Sequence, residues 1–176
     1  LENNLLVPTF RNATYWSNAS HWQWATQPNA REKASFLKDN ILPIQESGQL
    51  KFINSKMQGN IIELETVESN IIDQLKIKFV HGHTNAMMLP QIEYKGKTIV
   101  FMADLLPSAG HIPLPYVMAY DMFPLTTLNE KKLFLDEAVT NDYVLFFEHD
   151  LHNECCNLHI TEKGIKPKDF FTIDAI

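Results

Sequence analysis

The sequence has little cysteine, no excess of positive charge and no long apolar run. Its two cysteines, Cys155 and Cys156, are neighbours in the chain, and such a pair cannot build a framework of disulfide cross-links. Lysine and arginine number 15 against 21 acidic residues, which gives a net charge of −6, so we expect no nucleic-acid partner. No apolar run approaches the roughly 20 residues of a membrane span, so we expect no membrane partner either.

The first residues also lack the features of a secretory signal peptide. Residues 1–4 (LENN) provide neither a positively charged stretch nor an apolar core. Together with the sparse cysteines, this predicts a reducing compartment, and we take the location to be cytoplasmic. Because the chain begins with Leu1 and not with Met, we expect an N-terminal part of the protein to lie outside it.

What the sequence does contain is the composition of a globular domain. The chain has 176 residues, of which 45% are hydrophobic and 20% are charged. This length fits one domain or a large piece of one. The composition excludes a disordered chain, a collagen and a coiled coil.

Hydrophobic patterning predicts an α/β arrangement in which strands alternate with helices. The helix with the clearest start follows a capping box, from Thr127 to Glu130. A second helix start is expected at Ser20, a residue type that caps helices. The predicted strands are 50–54, 61–66, 75–79, 87–94, 97–102, 142–148 and 158–161, and the predicted helices are 20–27, 29–39 and 127–141.

Polar residues stand at three points where the chain leaves an apolar strand. The three points are 81–84 (HGHT), Asp104, and 148–150 (EHD). Imidazole and carboxylate groups are the ligands that hold zinc and similar divalent ions. Rigid strand ends could bring such groups to one point, which favours a metal site; the alternative is that these are solvated strand-end residues without a role.

The sequence around these three points resembles the second half of the metallo-β-lactamase superfamily. The matching segments are 79–84 (FVHGHT), 100–105 (VFMADL) and 146–150 (FFEHD). In that family, the Gly-His-Thr motif supplies a metal-binding histidine, the aspartate bridges two metal ions, and a late histidine completes the second site.

The resemblance therefore implies a role for each residue. His83 is the expected ligand of the first metal ion, Asp104 the carboxylate that bridges both ions, and His149 the ligand of the second. His81 corresponds to a position that is not metal-bound in the family. The family fold is an αββα sandwich, so residues 1–176 are expected to form an incomplete sandwich, mainly the C-terminal half of a single domain.

Two departures from the family pattern stand out. The signature His-x-His-x-Asp-His loop is absent, so the resemblance implies that a missing N-terminal segment of the same fold supplies the other ligands. The usual Pro-Gly after Gly-His-Thr is Asn85-Ala86 here. Pro107 stands where the best-known lactonases of the family carry a tyrosine, so the carbonyl-polarising role of that tyrosine is not transferred to this chain.

The loop after Asp104 carries a further candidate, His111. Residues 104–121 look like one branch of bacterial hydrolases, which includes quorum-quenching lactonases and relatives of organophosphate hydrolases. His111 lies in this proline-rich segment; either it contacts substrate or orients a ligand, or it packs among the prolines. For Tyr116, Tyr120 and Asp121, packing and hydrogen bonding are the expected roles.

The resemblance implies a dinuclear zinc hydrolase that cleaves an ester-like bond in a small-molecule substrate, with a lactone favoured. A hydroxide bridging the two ions would be the nucleophile, with Asp104 and His111 as catalytic residues. This chain alone is expected to be inactive. Two alternatives stay open: a non-catalytic binding or assembly module that needs a partner or self-association as a homo-oligomer, and a metal-binding regulator without turnover.

Overall fold

The structure, a computed structural model, describes residues 6–53, 64–68 and 73–176. By its internal contacts the chain divides into two compact units, Leu1–Ser55 and Lys56–Ile176. Each unit has its own strands and helices and is described by itself. Of the helices in the described ranges, none combines the length and the apolarity that crossing a membrane requires.

The first unit contains a pair of short parallel strands and two helices. The first helix begins after Asn18, whose side chain accepts a hydrogen bond from the backbone N–H of His21 at 2.8 Å. The predicted cap at Ser20 is therefore wrong, because Asn18 already caps the helix two residues earlier. In order, the elements are β1 (Tyr15–Ser17), α1 (Ala19–Thr26), α2 (Lys38–Glu46) and β2 (Leu50–Phe52).

The second helix of this unit does not lie where the sequence pattern predicts it. The Asn29 side chain accepts hydrogen bonds from the backbone N–H groups of Arg31 and Glu32 at 2.9 and 3.1 Å. These local bonds hold the chain in turns, so the predicted helix at 29–39 is wrong. Helix α2 begins at Lys38 instead and includes Pro43.

The second unit is built on a mixed sheet with one long helix. Its strands are hydrogen-bonded in chain order, from β3 to β9. Residues 61–63 of the predicted strand 61–66 lie outside the described residues. The elements are β3 (Thr66–Glu68), β4 (Leu75–Val80), β5 (Met87–Tyr94), β6 (Lys97–Phe101), α3 (Pro124–Thr140), β7 (Val144–Phe146), β8 (Cys155–Thr161) and β9 (Gly164–Phe171).

Helix α3 begins three residues before the predicted capping box. Pro124 occupies the first turn, where its missing N–H costs nothing. The Glu130 side chain does not reach back to the helix start; it accepts hydrogen bonds from the backbone of residues 81 and 82. The capping box is therefore wrong, because a tertiary contact takes the carboxylate that the box would have used.

The core of this unit lies between α3 and one face of the sheet. On the helix, Phe134, Leu135 and Ala138 are buried, and on the sheet Val100 and Leu145 are fully buried opposite them in the same cluster. Each large apolar side chain buried here contributes about 1.5–3 kcal/mol. This packing fixes the helix against one face of the sheet, whose strands lead to the candidate residues.

Candidate metal centre

The topology of the sheet brings the three predicted residues to one edge. Strand β4 is antiparallel to β5, β5 is antiparallel to β6, and β6 is parallel to β7. Strands β4, β6 and β7 therefore run in the same direction, and their carboxyl ends meet at the same edge of the sheet. His83, Asp104 and His149 follow these three ends.

Asp104 lies between the two histidines and faces each with a different oxygen. Its Oδ2 atom is 3.4 Å from Nε2 of His83. Its Oδ1 atom is 3.5 Å from Nε2 of His149. The side chains are partly open to solvent, with exposed fractions of 18% for His83, 28% for Asp104 and 57% for His149.

The other ring nitrogen of His83 contacts a buried carboxylate, Asp121. The Oδ1 atom of Asp121 is 2.9 Å from Nδ1 of His83, and its side chain is only 1% exposed. A proton on Nδ1, donated to Asp121, would leave Nε2 of His83, the atom that faces Asp104, as the nitrogen able to bind a cation. Among the described residues no hydrogen-bond partner is found for the buried Oδ2 atom of Asp121.

The backbone just before Asp104 has an unfavourable conformation. Ala103 has a φ angle of 41°, in the left-handed region that residues with a Cβ atom rarely adopt. Such a conformation costs about 1–3 kcal/mol and is found most often at functional sites. It turns the chain sharply after β6, at the residue that precedes the carboxylate.

The loop after Asp104 is tied to the loop that carries His149. The backbone N–H of His149 donates to the carbonyl of Pro107 at 3.1 Å, and Asp150 accepts from the N–H of Ala109 at 2.9 Å. Burial alone would raise the pKa of Asp150, but hydrogen bonds from His152, Ala109 and Asn153 outweigh it and lower that pKa. The carboxylate therefore stays ionised and holds the two loops together.

His111 lies in a 3₁₀ turn of this loop, next to a serine. The Ser108 hydroxyl and Nδ1 of His111 are 2.9 Å apart. Burial, aided by the positive charge of Lys131, lowers the pKa of His111, although Asp121 opposes this. The ring is therefore neutral at pH 7.

His81, by contrast, has no contact with Asp104 or His149 in the described contacts. Its backbone N–H donates to Glu130.

The arrangement is pairwise, one imidazole against each oxygen of Asp104. In the described ranges, no group of three or more His, Cys, Asp or Glu side chains has the geometry of a formed metal site.

The two cysteines, Cys155 and Cys156, are buried and free, and burial raises their pKa values to about 11 and 12. They are inert thiols of the core and not ligands.

The structure also reveals contacts that sequence reasoning did not find. The sequence indicated a hydrogen-bonding role for Asp121 but not its partner, His83. Ser108 and Lys131 were not singled out, and Glu130 was assigned only to the capping box. A signal was present for Glu130 and Lys131, since these two adjacent charged residues precede the apolar residues Phe134, Leu135 and Ala138 on the buried side of the same helix.

Comparisons with known proteins identify the fold. No protein-family model and no curated protein matches the chain, but solved structures do. A probable metal-dependent hydrolase from Staphylococcus aureus superposes with a TM-score of 0.75 at 21% identity, over 95% of this chain and 55% of that one. The hydrolase AbOPH of the beta-lactamase superfamily gives 0.69 at 16% identity, over 91% and 56%.

A third structure is AidC, a dizinc quorum-quenching lactonase in complex with a product. Its TM-score is 0.63 at 16% identity, over 92% of this chain and 56% of AidC. The chain thus spans about half the length of these solved structures. The predicted incomplete sandwich is confirmed: this chain has part of the metallo-β-lactamase fold.

Proposed function

We propose that this chain is part of a dinuclear zinc hydrolase that cleaves an ester-like bond in a small-molecule substrate. The observation that carries the proposal is the position of Asp104, whose two oxygens each face the Nε2 atom of a different histidine, His83 and His149. A carboxylate placed between two imidazoles in this way is suited to bridge two cations.

The distances fit that assignment. Two ligand atoms that share one tetrahedral zinc ion at about 2.1 Å lie about 3.4 Å apart. The Nε2 atom of His83 is 3.4 Å from one oxygen of Asp104, and that of His149 is 3.5 Å from the other. Each histidine–oxygen pair therefore has the spacing expected of two ligands of one ion.

His83 and Asp104 would hold the first ion, and Asp104 and His149 the second. When bound, the ions would polarise the substrate oxygen and lower the pKa of water toward 7. The carboxylate of Asp104 offsets part of the positive charge. Asp121 holds the His83 ring by its Nδ1 atom, 2.9 Å away, a contact that raises the basicity of a ligating imidazole.

His111 is the residue that we assign to the substrate. A Ser108 hydroxyl that donates to Nδ1 leaves Nε2–H of His111 as a donor for a substrate oxygen. The lowered pKa of the ring keeps it neutral, so it can donate without adding a charge. This would replace the tyrosine of related lactonases, whose position is occupied here by Pro107.

For the substrate we favour a lactone. AidC is a lactonase and was solved with its product N-hexanoyl-L-homoserine, and the AiiA structure with N-decanoyl-L-homoserine, which has a TM-score of 0.59, covers 81% of this chain. These ligands belong to those proteins. Their common chemistry, an acyl chain on a homoserine head group, defines the first compounds to test.

We further propose that other ligands come from a segment outside this chain. A catalytic zinc ion has about three protein ligands, and His83, Asp104 and His149 cannot provide that number for two ions. The isolated chain would then bind zinc weakly and have no activity. We also keep the prediction of a cytoplasmic location, which a fractionation of cells expressing the protein would test.

Zinc titration by calorimetry tests the proposed site. The complete protein should bind two ions, and H83A and H149A should each weaken one of them, while D104N weakens both. H159A, at an exposed position in β8, is the matched control. Two tight sites that survive all three substitutions would refute the assignment.

A lactone hydrolysis assay with the complete, zinc-loaded protein tests the reaction. We expect turnover that D104N abolishes and H159A does not change. Two bound ions without turnover of any lactone or ester would favour the alternative of a metal-binding regulator.

A second candidate function is a non-catalytic assembly module. One observation favours it: the sheet face away from α3 is also apolar, with Ile99, Val144 and Cys155 buried and Phe146 and Phe171 packed against them, while Ile92 and Tyr94 are exposed at 37% and 43%. Gel filtration of the complete protein distinguishes the two. A monomer argues against assembly, whereas a homo-oligomer whose state survives D104N supports it.

A further inference from the structure

Two adjacent charged residues of α3, Glu130 and Lys131, are fully buried, each with an exposed fraction of 0%. Burying a charge is costly unless hydrogen bonds satisfy it. A helix that only had to pack against the sheet could use leucine or methionine at both positions, at no cost in stability. Their hydrogen-bond partners therefore indicate what these side chains do.

Glu130 binds the chain just before His83. Its two oxygens accept from the backbone N–H groups of His81 at 2.6 Å and Gly82 at 2.9 Å. Strand β4 ends at Val80, so these N–H groups lie beyond the sheet and need another acceptor. The carboxylate of Glu130 supplies the acceptors that a neighbouring strand would otherwise provide.

Lys131 binds the loop between His111 and Asp121, in this case as a hydrogen-bond donor. Its Nζ atom donates to three backbone carbonyls, those of Pro113 at 3.1 Å, Leu114 at 3.2 Å and Tyr116 at 2.7 Å. Burial lowers the pKa of Lys131 to about 8, so it is mainly protonated at pH 7 and keeps its three donors. Lys131 thus provides hydrogen-bond donors for three carbonyl groups of a loop that lies outside the helices and strands.

The start of α3 also contacts the first of these segments. The backbone N–H groups of Met122 and Phe123 donate to the carbonyls of His83 at 3.1 Å and Gly82 at 2.8 Å. A Cβ atom at Gly82 would lie 2.3 Å from the backbone nitrogen of Thr127. The turn that carries His83 is thus held against the helix on several sides.

We propose that Glu130 and Lys131 are positioning residues that fix the loops bearing His83 and Asp121 relative to each other. The contact that depends on them is the one between Asp121 and Nδ1 of His83, which is 2.9 Å long. The hydrogen bonds of both side chains go to backbone groups, and not to the proposed metal ligands. This inference rests on the proposed function, since it assigns how the proposed ligand is oriented.

The experiment compares E130Q and K131M with K132M in the complete protein. Gln keeps one acceptor but places an amide NH₂ against the second N–H, and Met removes all three donors of Lys131. Lys132 is the neighbour of Lys131 on α3, its side chain is 59% exposed, and it pairs with Asp136, so K132M controls for loss of a lysine from the same turn.

The first readout needs no metal. Long-range ¹H–¹⁵N spectra of the zinc-free protein report the tautomer and hydrogen bonding of the His83 ring. We expect E130Q and K131M to shift the His83 Nδ1 signal while the His159 signal stays unchanged. The second readout is zinc affinity, which we expect to fall about 10-fold or more, the effect seen when the orientation of a ligand is disturbed.

The inference is overturned if both variants keep the His83 signal and the zinc affinity of K132M, even when their stability falls. If E130Q or K131M does not fold, E130D or K131Q is judged by the same criterion. Failure of the proposed function gives a different result: the unsubstituted protein then binds no zinc, whereas the ring signal still tests the positioning.

Discussion

The Nδ1 atom of His83 lies 2.9 Å from a carboxylate oxygen of Asp121, a residue 38 positions further along the chain. Removing this contact should weaken zinc binding. We expect D121A to lower the affinity of the His83 site by about 10- to 100-fold, because the ring is no longer held in one orientation or tautomer. D121N keeps an acceptor oxygen and should have a smaller effect. Competition with a chromophoric chelator measures both.

The control for this prediction is D136N. Asp136 is an exposed carboxylate on α3 that pairs with Lys132, so its loss removes the same charge far from the ring. Equal affinities for D121A and D136N would contradict the prediction.

Comparing His149 with the nearby His152 tests whether His149 is the ligand of the second ion. His149 faces Asp104, whereas His152, three residues later, is exposed and donates its backbone N–H to Asp150. We expect H149A to lose one of two bound zinc equivalents and H152A to keep both, as measured by metal analysis after gel filtration. Loss of the same amount from both variants would show that the loop, and not the ligand, is responsible.

Gly82 should not tolerate a side chain. An added Cβ atom would lie 2.3 Å from the nitrogen and Oγ1 of Thr127 and 2.5 Å from its Cα, and two of these are backbone atoms that cannot rotate away. We expect G82A to lower the free energy of unfolding by about 1–3 kcal/mol, measured by urea denaturation. At Gly110 the nearest atom would be 3.4 Å away, so G110A should change stability by less than about 0.5 kcal/mol.

The stability of the protein should depend on pH through Glu130. Burial raises the pKa of this carboxyl from 4.5 to about 7; the N–H groups of His81 and Gly82 oppose the rise and Asp121 adds to it. Between these pH values Glu130 binds a proton more readily in the native state than in the unfolded chain, so its contribution to the free energy of unfolding falls as pH rises from 4.5 to about 7.

The difference in stability between the unsubstituted protein and E130Q isolates this effect. Measured by urea denaturation with a chelator present, the difference should shrink from pH 4.5 to about 7 and then stay constant. A difference that grows with pH over this range would mean that the carboxyl is stabilised in its ionised form.

Much of the second unit could be predicted because its strands have strong local signals. Strand β5 occurs as predicted at Met87–Tyr94, and in its first half buried residues alternate with more exposed ones. In the structure His83, Asp104 and His149 come close together because they follow three strand ends. The sequence pattern made this possible, and the family resemblance singled out the three residues. Their roles as metal ligands stay a prediction.

The remaining features depend on contacts between distant segments. The Thr127–Glu130 pattern satisfies the capping-box rule as well as any sequence could, yet Glu130 binds the backbone of residues 81 and 82. Likewise, nothing local distinguishes Asp121 from any other loop aspartate. In the first unit, the Asn29 side chain competes with helix formation, a balance that apolar spacing does not record.

The parallel pairing of β6 with β7 sets the spacing between Asp104 and His149, which follow the ends of these two strands. Phe101 is paired with Phe146, and adjacent strands of a sheet are about 4.8 Å apart. The starting points of the Asp104 and His149 side chains are therefore spaced by the backbone ladder itself. Insertions or deletions in the long connection between these strands can remodel what surrounds a ligand without stretching that spacing, so specificity can diverge while the donors keep their separation.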